Sequence, residues 1–394
     1  MPFLISLIMA RTTHDHAKKL SRRRICTLVL TYSCNLNCIY CYESFKDNSG
    51  KKQMLLETAK EILRKEIEYT TLSPSLDDID FNFIGGEPLM AFPLIKEICE
   101  WAWEQNWHLP FIFYATTNGT LLNEEMKNWF RKHADKIVLG LSVDGKSGMQ
   151  YLNRGCSSEN LSIDFIYSCW PEQQFKMTIS KETLPLVAEG VIYMHEKGLS
   201  LSTTIAQGVI WNHRDAVIYR EVLNYLLAYY MEHSDVVPVA LFTKNISKMF
   251  QPYGVNNKCC GSGDTLVTYD FTGKSYPCIL FTPIVLGKDV SEEVSKFDFS
   301  DKANLVDPSC KQCPIVNLCF TCYGFNYKLR RNLALRDKSC CEMIFEEVKV
   351  ACYYQKYIMQ QIQEDIPLSQ EEFDYLAMLD KAIAILDEYS LMTD

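Results

Sequence analysis

The chain has 394 residues, of which 47% are hydrophobic and 23% are charged, a composition typical of a soluble globular protein. Its 40 basic and 49 acidic residues give a net charge of −9, which disfavours nucleic acid as a partner because the molecule as a whole repels a phosphate backbone. The 17 cysteines exceed what a chain of this length needs for disulfides, and they indicate metal binding.

The N-terminal extension, placed at residues 1–24, predicts neither export nor a membrane anchor. Its first ten residues are apolar, but the basic residues follow them instead of preceding them as in a secretory signal. No stretch of the sequence reaches the roughly 18 uninterrupted apolar residues of a transmembrane helix. We therefore expect a cytoplasmic protein with no membrane partner and with reduced cysteines.

Residues 25–235 alternate short β-branched or aromatic runs with longer amphipathic segments, the pattern of βα units around a parallel sheet. The six predicted strands cover residues 25–30, 79–83, 111–116, 137–143, 175–180 and 201–207. Helices are predicted at residues 55–67, 95–103, 186–195 and 217–230, and after Asn123, which has the position of an N-cap. Periodicity alone does not distinguish a doubly wound sheet from an incomplete (β/α) barrel.

Three cysteines, Cys34, Cys38 and Cys41, follow the first predicted strand in C-x3-C-x2-C spacing. Structural zinc sites and iron–sulfur clusters normally take four protein ligands, so three thiolates on one loop indicate a 4Fe–4S cluster with one iron open for chemistry. The alternative is a zinc knuckle that takes its fourth ligand from elsewhere, although no histidine stands beside this loop.

This spacing resembles the signature of the radical S-adenosylmethionine (SAM) superfamily, in which an aromatic residue, here Tyr40, precedes the last cysteine. A second element, Gly85-Gly86-Glu87-Pro88, follows the second strand and resembles the family's GGEP element. The resemblance implies that this element binds SAM, since glycines let the backbone approach its amino group without an intervening side chain.

Further matches follow the next two strands. Asn118 comes after the third strand, and Ser142 and Asp144 belong to a match to the family's S-x-D-G element. Arg154, twelve residues beyond Ser142, stands where the family commonly has an arginine that reaches the SAM carboxylate. All these elements lie at the carboxyl ends of predicted strands, where (β/α) barrels carry their active sites, so the resemblance implies a partial (β/α)6 barrel.

The fifth predicted strand departs from the family pattern. It lacks the arginine that is often found there, and Lys176 and Ser180 are its only candidate substitutes.

A second group of cysteines lies between residues 259 and 352, in a turn-rich segment with little core-forming periodicity of its own. We expect this segment to fold around the metal that it binds. The run C-x2-C-x5-C-x2-C from Cys310 to Cys322 is compatible with a zinc ribbon-like site. The whole segment resembles the SPASM extension of radical SAM peptide-modifying enzymes, which implies two auxiliary 4Fe–4S clusters.

The resemblance also implies the auxiliary ligands. The first cluster would be held by Cys260, Cys278 and Cys322, with Cys259 as a fourth ligand or only a neighbour, and the second by Cys310, Cys313, Cys319 and Cys340. The spacing before Cys322 is one residue shorter than the family's usual spacing. The doublets leave open whether Cys259 or Cys260, and whether Cys340 or Cys341, is a ligand. The remaining cysteines (Cys26, Cys99, Cys156, Cys169 and Cys352) fit no spacing and are predicted to be buried, inert thiols.

The predicted domains after the N-terminal extension are a radical SAM partial barrel (25–235), a linker with the SPASM region (236–352) and a C-terminal helical segment (353–394). In the last of these, Ser369 and Glu372 have the spacing of a capping box. An apolar face formed by Phe373, Leu376, Leu379, Ile383 and Leu386 predicts a helix that docks on the rest of the protein.

The resemblance implies an enzyme with three 4Fe–4S clusters and SAM that takes electrons from a flavodoxin- or ferredoxin-type donor. Such an enzyme cleaves SAM reductively and uses the 5′-deoxyadenosyl radical to abstract hydrogen from its substrate. We expect a peptide maturase that installs a thioether or carbon-linked cross-link in a ribosomally made precursor peptide.

Two other functions remain open. The first is an anaerobic sulfatase-maturing enzyme that forms formylglycine; such enzymes typically carry an aspartate directly after the cysteine of Gly-x4-Cys, where this chain has Ile279. The second is a non-catalytic iron–sulfur electron carrier or zinc scaffold, which would need neither GGEP nor S-x-D-G.

Overall fold

The computed structural model describes residues 22–252, 258, 260–294, 296–301 and 305–393. Six parallel strands form its N-terminal part: β1 (Arg23–Thr31), β2 (Asp78–Gly85), β3 (Phe111–Thr117), β4 (Ile137–Leu141), β5 (Phe175–Ile179) and β6 (Leu201–Ile205). All six predicted strands are confirmed. Seven α-helices lie between and after them: α1 (Leu56–Leu72), α2 (Phe92–Glu104), α3 (Glu124–Lys132), α4 (Ser147–Arg154), α5 (Ile163–Cys169), α6 (Val187–Glu196) and α7 (His213–Glu232).

The strands lie side by side in chain order. Strands β1 to β4 pair in sequence, β5 pairs with β6, and a bridge between Ser142 and Lys176 joins the two groups. A doubly wound sheet would reverse its strand order at a switch point, and no such reversal occurs among these six strands. The architecture is therefore the expected partial (β/α)6 barrel.

The two faces of the barrel strands differ in character. In β2 every second residue is buried, and Ile79, Phe81 and Phe83 face the surrounding helices with at most 1% exposure. The intervening residues, among them Asp80 and Asn82, face the inside of the barrel and are only partly buried. Strand alternation thus places an apolar layer under the helices and leaves a polar, open lumen.

Short 3₁₀ segments complete this part of the chain and the region that follows it. They are Pro88–Ala91, Ser158–Asn160, Leu184–Leu186, Ala240–Thr243, Ile246–Phe250, Ile279–Phe281, Pro308–Cys310 and Lys338–Cys340. Asn123 caps α3 as predicted, since its side chain accepts a hydrogen bond of 2.9 Å from the Met126 amide.

The cysteine-rich region extends the barrel sheet. Its elements are β7 (Leu266–Tyr269), β8 (Ser275–Tyr276), α8 (Pro283–Leu286), α9 (Lys288–Val294) and α10 (Tyr323–Arg330). Strand β7 pairs in parallel with β1, and β8 pairs with β7 in antiparallel orientation. The edge of β1 is therefore covered by residues more than 200 positions away, which sequence periodicity did not predict.

This region also has an apolar core, although its sequence shows little core-forming periodicity. Phe281, Ile284 and Val285 are fully buried and pack with Val29 and Tyr32 from the end of β1. The elements here are two to eight residues long, and segments this short show no recognisable hydrophobic period.

Two long helices end the described chain, α11 (Cys341–Asp365) and α12 (Gln370–Thr393). Helix α11 packs against α7, where Glu347 accepts a hydrogen bond of 3.0 Å from Tyr219. Residue 352, the expected end of the SPASM region, lies in the middle of α11.

Helix α12 begins with the predicted capping pair, since the Ser369 hydroxyl and amide both donate to Glu372. On the expected apolar face Leu379 and Leu386 are fully buried, whereas Phe373 is exposed. Among the described residues, no helix has both the length and the apolarity needed to cross a membrane.

Candidate active site

A cavity of about 310 Å³ opens at the carboxyl ends of the barrel strands. The loop after β1 contributes the three predicted cluster ligands, Cys34, Cys38 and Cys41, to its wall. The loops after β2, β3 and β4 contribute the other predicted residues that line it, which are Gly85, Gly86, Glu87, Asn118 and Ser142, and Tyr40 and Arg154 line it as well. The fold thus gathers the three cysteines of the C-x3-C-x2-C motif and most of the predicted SAM-binding residues around one space.

The backbone at Thr31 and Ser33 passes too close to Gly85 and Gly86 for either position to carry a side chain. A Cβ atom on Gly86 would lie 2.2 Å from the Ser33 carbonyl oxygen, and one on Gly85 would lie 2.4 Å from the Thr31 carbonyl oxygen. The Gly86 and Glu87 amides donate to the Thr31 and Ser33 carbonyls at 3.0 and 2.8 Å. The absence of side chains at 85 and 86 therefore allows the loop that carries Cys34, Cys38 and Cys41, the cluster loop, to be held against the end of β2.

The Glu87 carboxylate is engaged by protein groups. Glu87 is 1% exposed, and its oxygens accept hydrogen bonds from the Leu89 amide at 3.0 Å, the Thr117 hydroxyl at 2.7 Å and the Asn118 amide at 2.8 Å. Burial raises the pKa of this carboxyl, and the three donors oppose the rise. Glu87 thus ties the loop after β3 to the GGEP element. That it also contacts SAM stays a prediction.

Asp144 lies at the centre of a second buried network. Its carboxylate accepts bonds from Arg154 Nε at 2.8 Å, from the Thr178 amide at 2.9 Å and from the Tyr40 hydroxyl. The Arg154 guanidinium lies 5.4 Å from the centre of the Tyr40 ring. Asp144 itself is fully buried behind the cavity wall. It therefore connects the cluster loop with the arginine predicted to reach the SAM carboxylate.

The other predicted residues have less central places. Asn118 donates to the Asn35 side chain of the cluster loop at 3.0 Å, and Pro88 is buried in the 3₁₀ segment after the glycines. The two candidate substitutes on β5 differ: Ser180 donates to Asn153 at 2.7 Å, whereas Lys176 faces the lumen and donates to the Thr116 hydroxyl at 2.8 Å.

Several cavity residues were not found by sequence reasoning. They are Leu36, Tyr42, Glu43, Lys46, Ile84, Thr116, Thr117, Thr178, Thr204, Ile205, Ala206, Gln207 and Phe325. Phe325 comes from α10 of the cysteine-rich region, and no local motif marks its approach to the barrel. Glu43 and Lys46 lie two and five residues after the last cysteine of the motif, and this closeness in sequence was the available signal.

The cluster loop brings together three thiols, which are the ligands that an iron–sulfur cluster requires. Burial, opposed by the Arg154 guanidinium and assisted by the nearby Cys41 and Cys34 thiols, raises the pKa of the Cys38 thiol to about 11, so the three thiols interact with one another. Burial also raises the pKa of Cys34. Among the described residues, no three histidine, cysteine or acidic side chains converge as ligands of one metal ion. A four-iron cluster gives each thiolate its own iron, so this loop fits a cluster with three ligands and one open iron.

Three cysteines of the cysteine-rich region meet near the barrel. Burial raises the pKa of Cys278 to about 12, and the nearby Cys322 and Cys260 thiols contribute to the rise. The fold therefore brings Cys322 to this group despite its short spacing. Cys259, the fourth candidate, lies outside the described residues.

A second group forms where α11 begins. Burial raises the pKa of Cys341, and the Cys310 and Cys313 thiols add to the effect. Cys341 also contributes to the raised pKa of Cys319, which burial and its neighbours bring to about 11. Cys340, in contrast, interacts with Cys319 and Cys341. Cys341 thus lies near all three other candidate ligands, Cys310, Cys313 and Cys319, while the assignment of Cys340 as the ligand stays a prediction.

This placement predicts different outcomes for the two members of the doublet. We expect C341A to lose the iron of one 4Fe–4S cluster, because the other three thiols would lack their fourth partner. C340A, the matched control one residue away, is expected to retain wild-type iron and sulfide. The check is iron and sulfide analysis of both variants after anaerobic reconstitution, and a selective loss in C340A would establish Cys340 as the ligand instead.

Five cysteines belong to none of these groups. Cys26, Cys99 and Cys352 are fully buried, as predicted for inert thiols. Cys156 and Cys169 are only half-buried, so the prediction of burial is wrong for these two. They lie at or near the ends of the short helices α4 and α5, where one side of each residue faces solvent.

The sequence of this chain is similar to a family of iron–sulfur proteins and to several individual enzymes. Residues 23–161 match the model of the 4Fe-4S single cluster domain. An uncharacterised protein of Methanocaldococcus jannaschii is 28% identical over 64% of this chain and 83% of its own length. The radical SAM cyclopropyl synthase TigE of Paramaledivibacter caminithermalis is 23% identical over 33% of this chain and 29% of its own. A serine-type anaerobic sulfatase-maturating enzyme of Bacteroides thetaiotaomicron is 32% identical over 28% of this chain and 27% of its own. The alignments with these two named enzymes thus span less than a third of each enzyme.

Solved structures share the fold over much more of the chain. The structure of native anSMEcpe with bound AdoMet superposes with a TM-score of 0.62 at 19% identity, over 84% of this chain and 97% of that one. Streptococcus suis SuiB bound to its precursor peptide SuiA superposes with a TM-score of 0.53 at 15% identity, over 86% of this chain and 81% of that one. The likeness therefore includes the cysteine-rich region as well as the barrel.

The cysteine spacing, the barrel and the gathered motifs agree with these relatives. In its N-terminal part the chain is similar to radical SAM and anaerobic sulfatase-maturating enzymes, and over most of its length it shares the fold of anSMEcpe and SuiB.

Proposed function

We propose that this protein is a radical SAM peptide maturase that installs a thioether or carbon-linked cross-link in a ribosomally made precursor peptide. The observation that carries the proposal is that two spaces adjoin each other: the cavity beside Cys34, Cys38 and Cys41 and the cavity in the barrel lumen share Ile84 and Thr116 in their walls. A substrate group in the lumen would thus lie next to the predicted SAM site. The peptide complexes of SuiB and anSMEcpe support a peptide as the substrate.

The residues of the chain have distinct tasks in this proposal. Cys34, Cys38 and Cys41 hold the SAM-binding cluster and leave one iron open. When bound, the reduced cluster and SAM supply a 5′-deoxyadenosyl radical that removes hydrogen from an unactivated carbon, and auxiliary clusters supply an acceptor for the electron released from the peptide. Arg154 and Ser142 bind and orient SAM, while Glu87 and Asp144 hold the loops that carry these contacts.

The auxiliary sites also have assigned residues. Cys260, Cys278 and Cys322 hold the first auxiliary cluster, with Cys259 as a possible fourth ligand, and Cys310, Cys313, Cys319 and Cys341 hold the second. Electrons would reach the protein from a flavodoxin- or ferredoxin-type donor. The first auxiliary site lies beside the barrel, since both Cys41 and Cys278 act on the Tyr42 hydroxyl, whose pKa burial raises above its usual range.

An anaerobic sulfatase-maturating activity is the second candidate. The shared fold and the Bacteroides relative favour it. The residue after Cys278 weighs against it, because Ile279 occupies the place of the expected aspartate and lines the lumen. An isoleucine accepts no proton, so an oxidation that relies on that base would need another group.

The test separates these activities by their products. The reconstituted, reduced protein is expected to cleave SAM to 5′-deoxyadenosine, and co-expression with a small peptide encoded beside its gene is expected to give a peptide lighter by two hydrogen atoms. Tandem mass spectrometry would locate the cross-link. Formylglycine formed in a sulfatase-motif peptide would establish the second candidate instead, and no SAM cleavage after full reconstitution would refute both.

A further inference from the structure

One cavity in the barrel lumen is lined by a single lysine among otherwise uncharged residues. This cavity of about 220 Å³ is lined by Thr27, Asn82, Tyr114, Thr116, Lys176 and Ile279, together with a few apolar or amide-bearing neighbours. Phe175 and Met177 are buried on the opposite face of β5, so strand alternation directs Lys176 inwards. Its Cε lies 3.8 Å from the position that a Cβ on Gly140 would occupy, and the missing side chain leaves room for the lysine stem.

The Lys176 ammonium has no anionic partner among the described residues. Its one hydrogen bond there goes to the neutral Thr116 hydroxyl, and none of the ion pairs includes it. The surrounding strands partly desolvate the ammonium, which lowers its pKa from the ordinary value. Lys176 is exposed to the open lumen, so its ammonium is accessible to an anion that enters there, and an opposite charge nearby would favour the charged form of the lysine.

The acidic groups deeper in the lumen do not supply this opposite charge. Asp78 and Asp80 lie near the amino ends of the strands, where Arg23 binds both, at 2.8 and 3.3 Å. Lys176 lies instead toward the carboxyl ends, beside the Thr116 wall that the lumen shares with the cluster cavity. An anion bound to Lys176 would thus stand next to the predicted site of the radical.

We propose that Lys176 recognises a carboxylate of the peptide substrate, which enters the barrel lumen next to the cluster cavity. The carboxylate comes from an aspartate or glutamate side chain or from the peptide C-terminus. Lys176 is then a specificity-determining residue that places the neighbouring carbon of the substrate beside the cavity. This inference rests on the proposed function, because it describes the substrate of that same site.

The test measures binding and needs no turnover. Three pentapeptides, Ac-Gly-Gly-Glu-Gly-Gly-NH₂, its glutamine analogue and the glutamine analogue with a free C-terminal carboxylate, are titrated into the reconstituted, SAM-loaded protein by anaerobic calorimetry. We expect the wild type to bind one or both carboxylate peptides about tenfold more tightly than the neutral one, and the arm that binds identifies the source of the carboxylate. K176Q is expected to lose this preference and K176R to keep it.

Charge reversal provides the sharper test. K176E is expected to prefer a lysine pentapeptide over the glutamate one, an inversion that a merely structural lysine would not produce. K181Q is the matched control, since Lys181 lies just beyond the end of β5 and already pairs with Asp215 at 2.8 Å; it should keep the wild-type preference. Equal or absent binding of all peptides to the wild type, or an unchanged preference in K176Q, overturns the inference. SAM cleavage in the same samples separates this failure from a failure of the proposed function.

Discussion

Gly86→Ala is expected to abolish assembly of the cluster at Cys34, Cys38 and Cys41. The added Cβ would lie 2.2 Å from the Ser33 carbonyl oxygen and 2.8 Å from the Cys34 Cβ, so the cluster loop would have to move. Moving it breaks the bonds from the Gly86 and Glu87 amides to Thr31 and Ser33. Overpacking against backbone commonly costs about 1–3 kcal/mol, and the two lost bonds add to this.

Iron analysis and the visible spectrum after anaerobic reconstitution measure this effect. We expect G86A to lose the iron of one cluster and to release no 5′-deoxyadenosine. G148A is the control, because no atom lies within 4 Å of the added Cβ and the residue stands in helix α4, where alanine is favourable by up to about 1 kcal/mol. Wild-type iron content and SAM cleavage in G86A would show that the close approach is not needed.

The second large effect is expected for Asp144→Asn. Asp144 is fully buried and pairs with Arg154, whose side chain is 8% exposed. Without the carboxylate the guanidinium remains buried without its counter-charge, and removing one partner of a buried pair typically costs about 3–5 kcal/mol. Because Tyr40 and the Thr178 amide donate to the same carboxylate, the cluster loop and strand β5 would also lose an anchor. We expect a matching fall in the free energy of unfolding and at least a tenfold loss of SAM affinity.

Denaturant titration and calorimetry with SAM separate these two consequences. In the double variant D144N/R154M the unpaired charge is gone, so stability should recover substantially while SAM affinity stays low. E189Q removes one partner of the exposed Lys146–Glu189 pair, and an exposed pair of this kind contributes about 1 kcal/mol at most. If D144N retained wild-type stability and SAM affinity, the positioning role of Asp144 would be wrong.

The fold of the barrel was accessible from the sequence because its signals are local. A strand with one face under helices buries every second residue, and β2 shows this alternation along its whole length. The cysteine motif, the two glycines and the N-cap at Asn123 likewise depend on residues a few positions apart. Such spacings can be recognised in a sequence without knowing which residues from distant parts of the chain pack against them.

The cysteine-rich region was less accessible because its structure depends on distant contacts. Strand β7 has four residues and is stabilised by pairing with β1, and the Arg24 guanidinium bonds the Asp264 carbonyl at 2.5 Å across the same junction. Neither partner has a pattern that identifies the other. The orientation of the Cys340–Cys341 doublet depends on where α11 begins, which packing against α7 helps to determine.

The sequence by itself indicated a resemblance to radical SAM enzymes, because the cysteine motif and the predicted SAM-binding turns are each defined by residues that lie close together along the chain. Only the tertiary structure decided which side chains act on one another: Asp144 on Tyr40 and Arg154, Glu87 on the loop after β3, and Cys341 on three distant thiols. It also placed Lys176 in a lumen without a carboxylate partner among the described residues. The physical reason is that burial, charge pairing and desolvation are properties of the folded neighbourhood, and residues far apart in sequence contribute most of it.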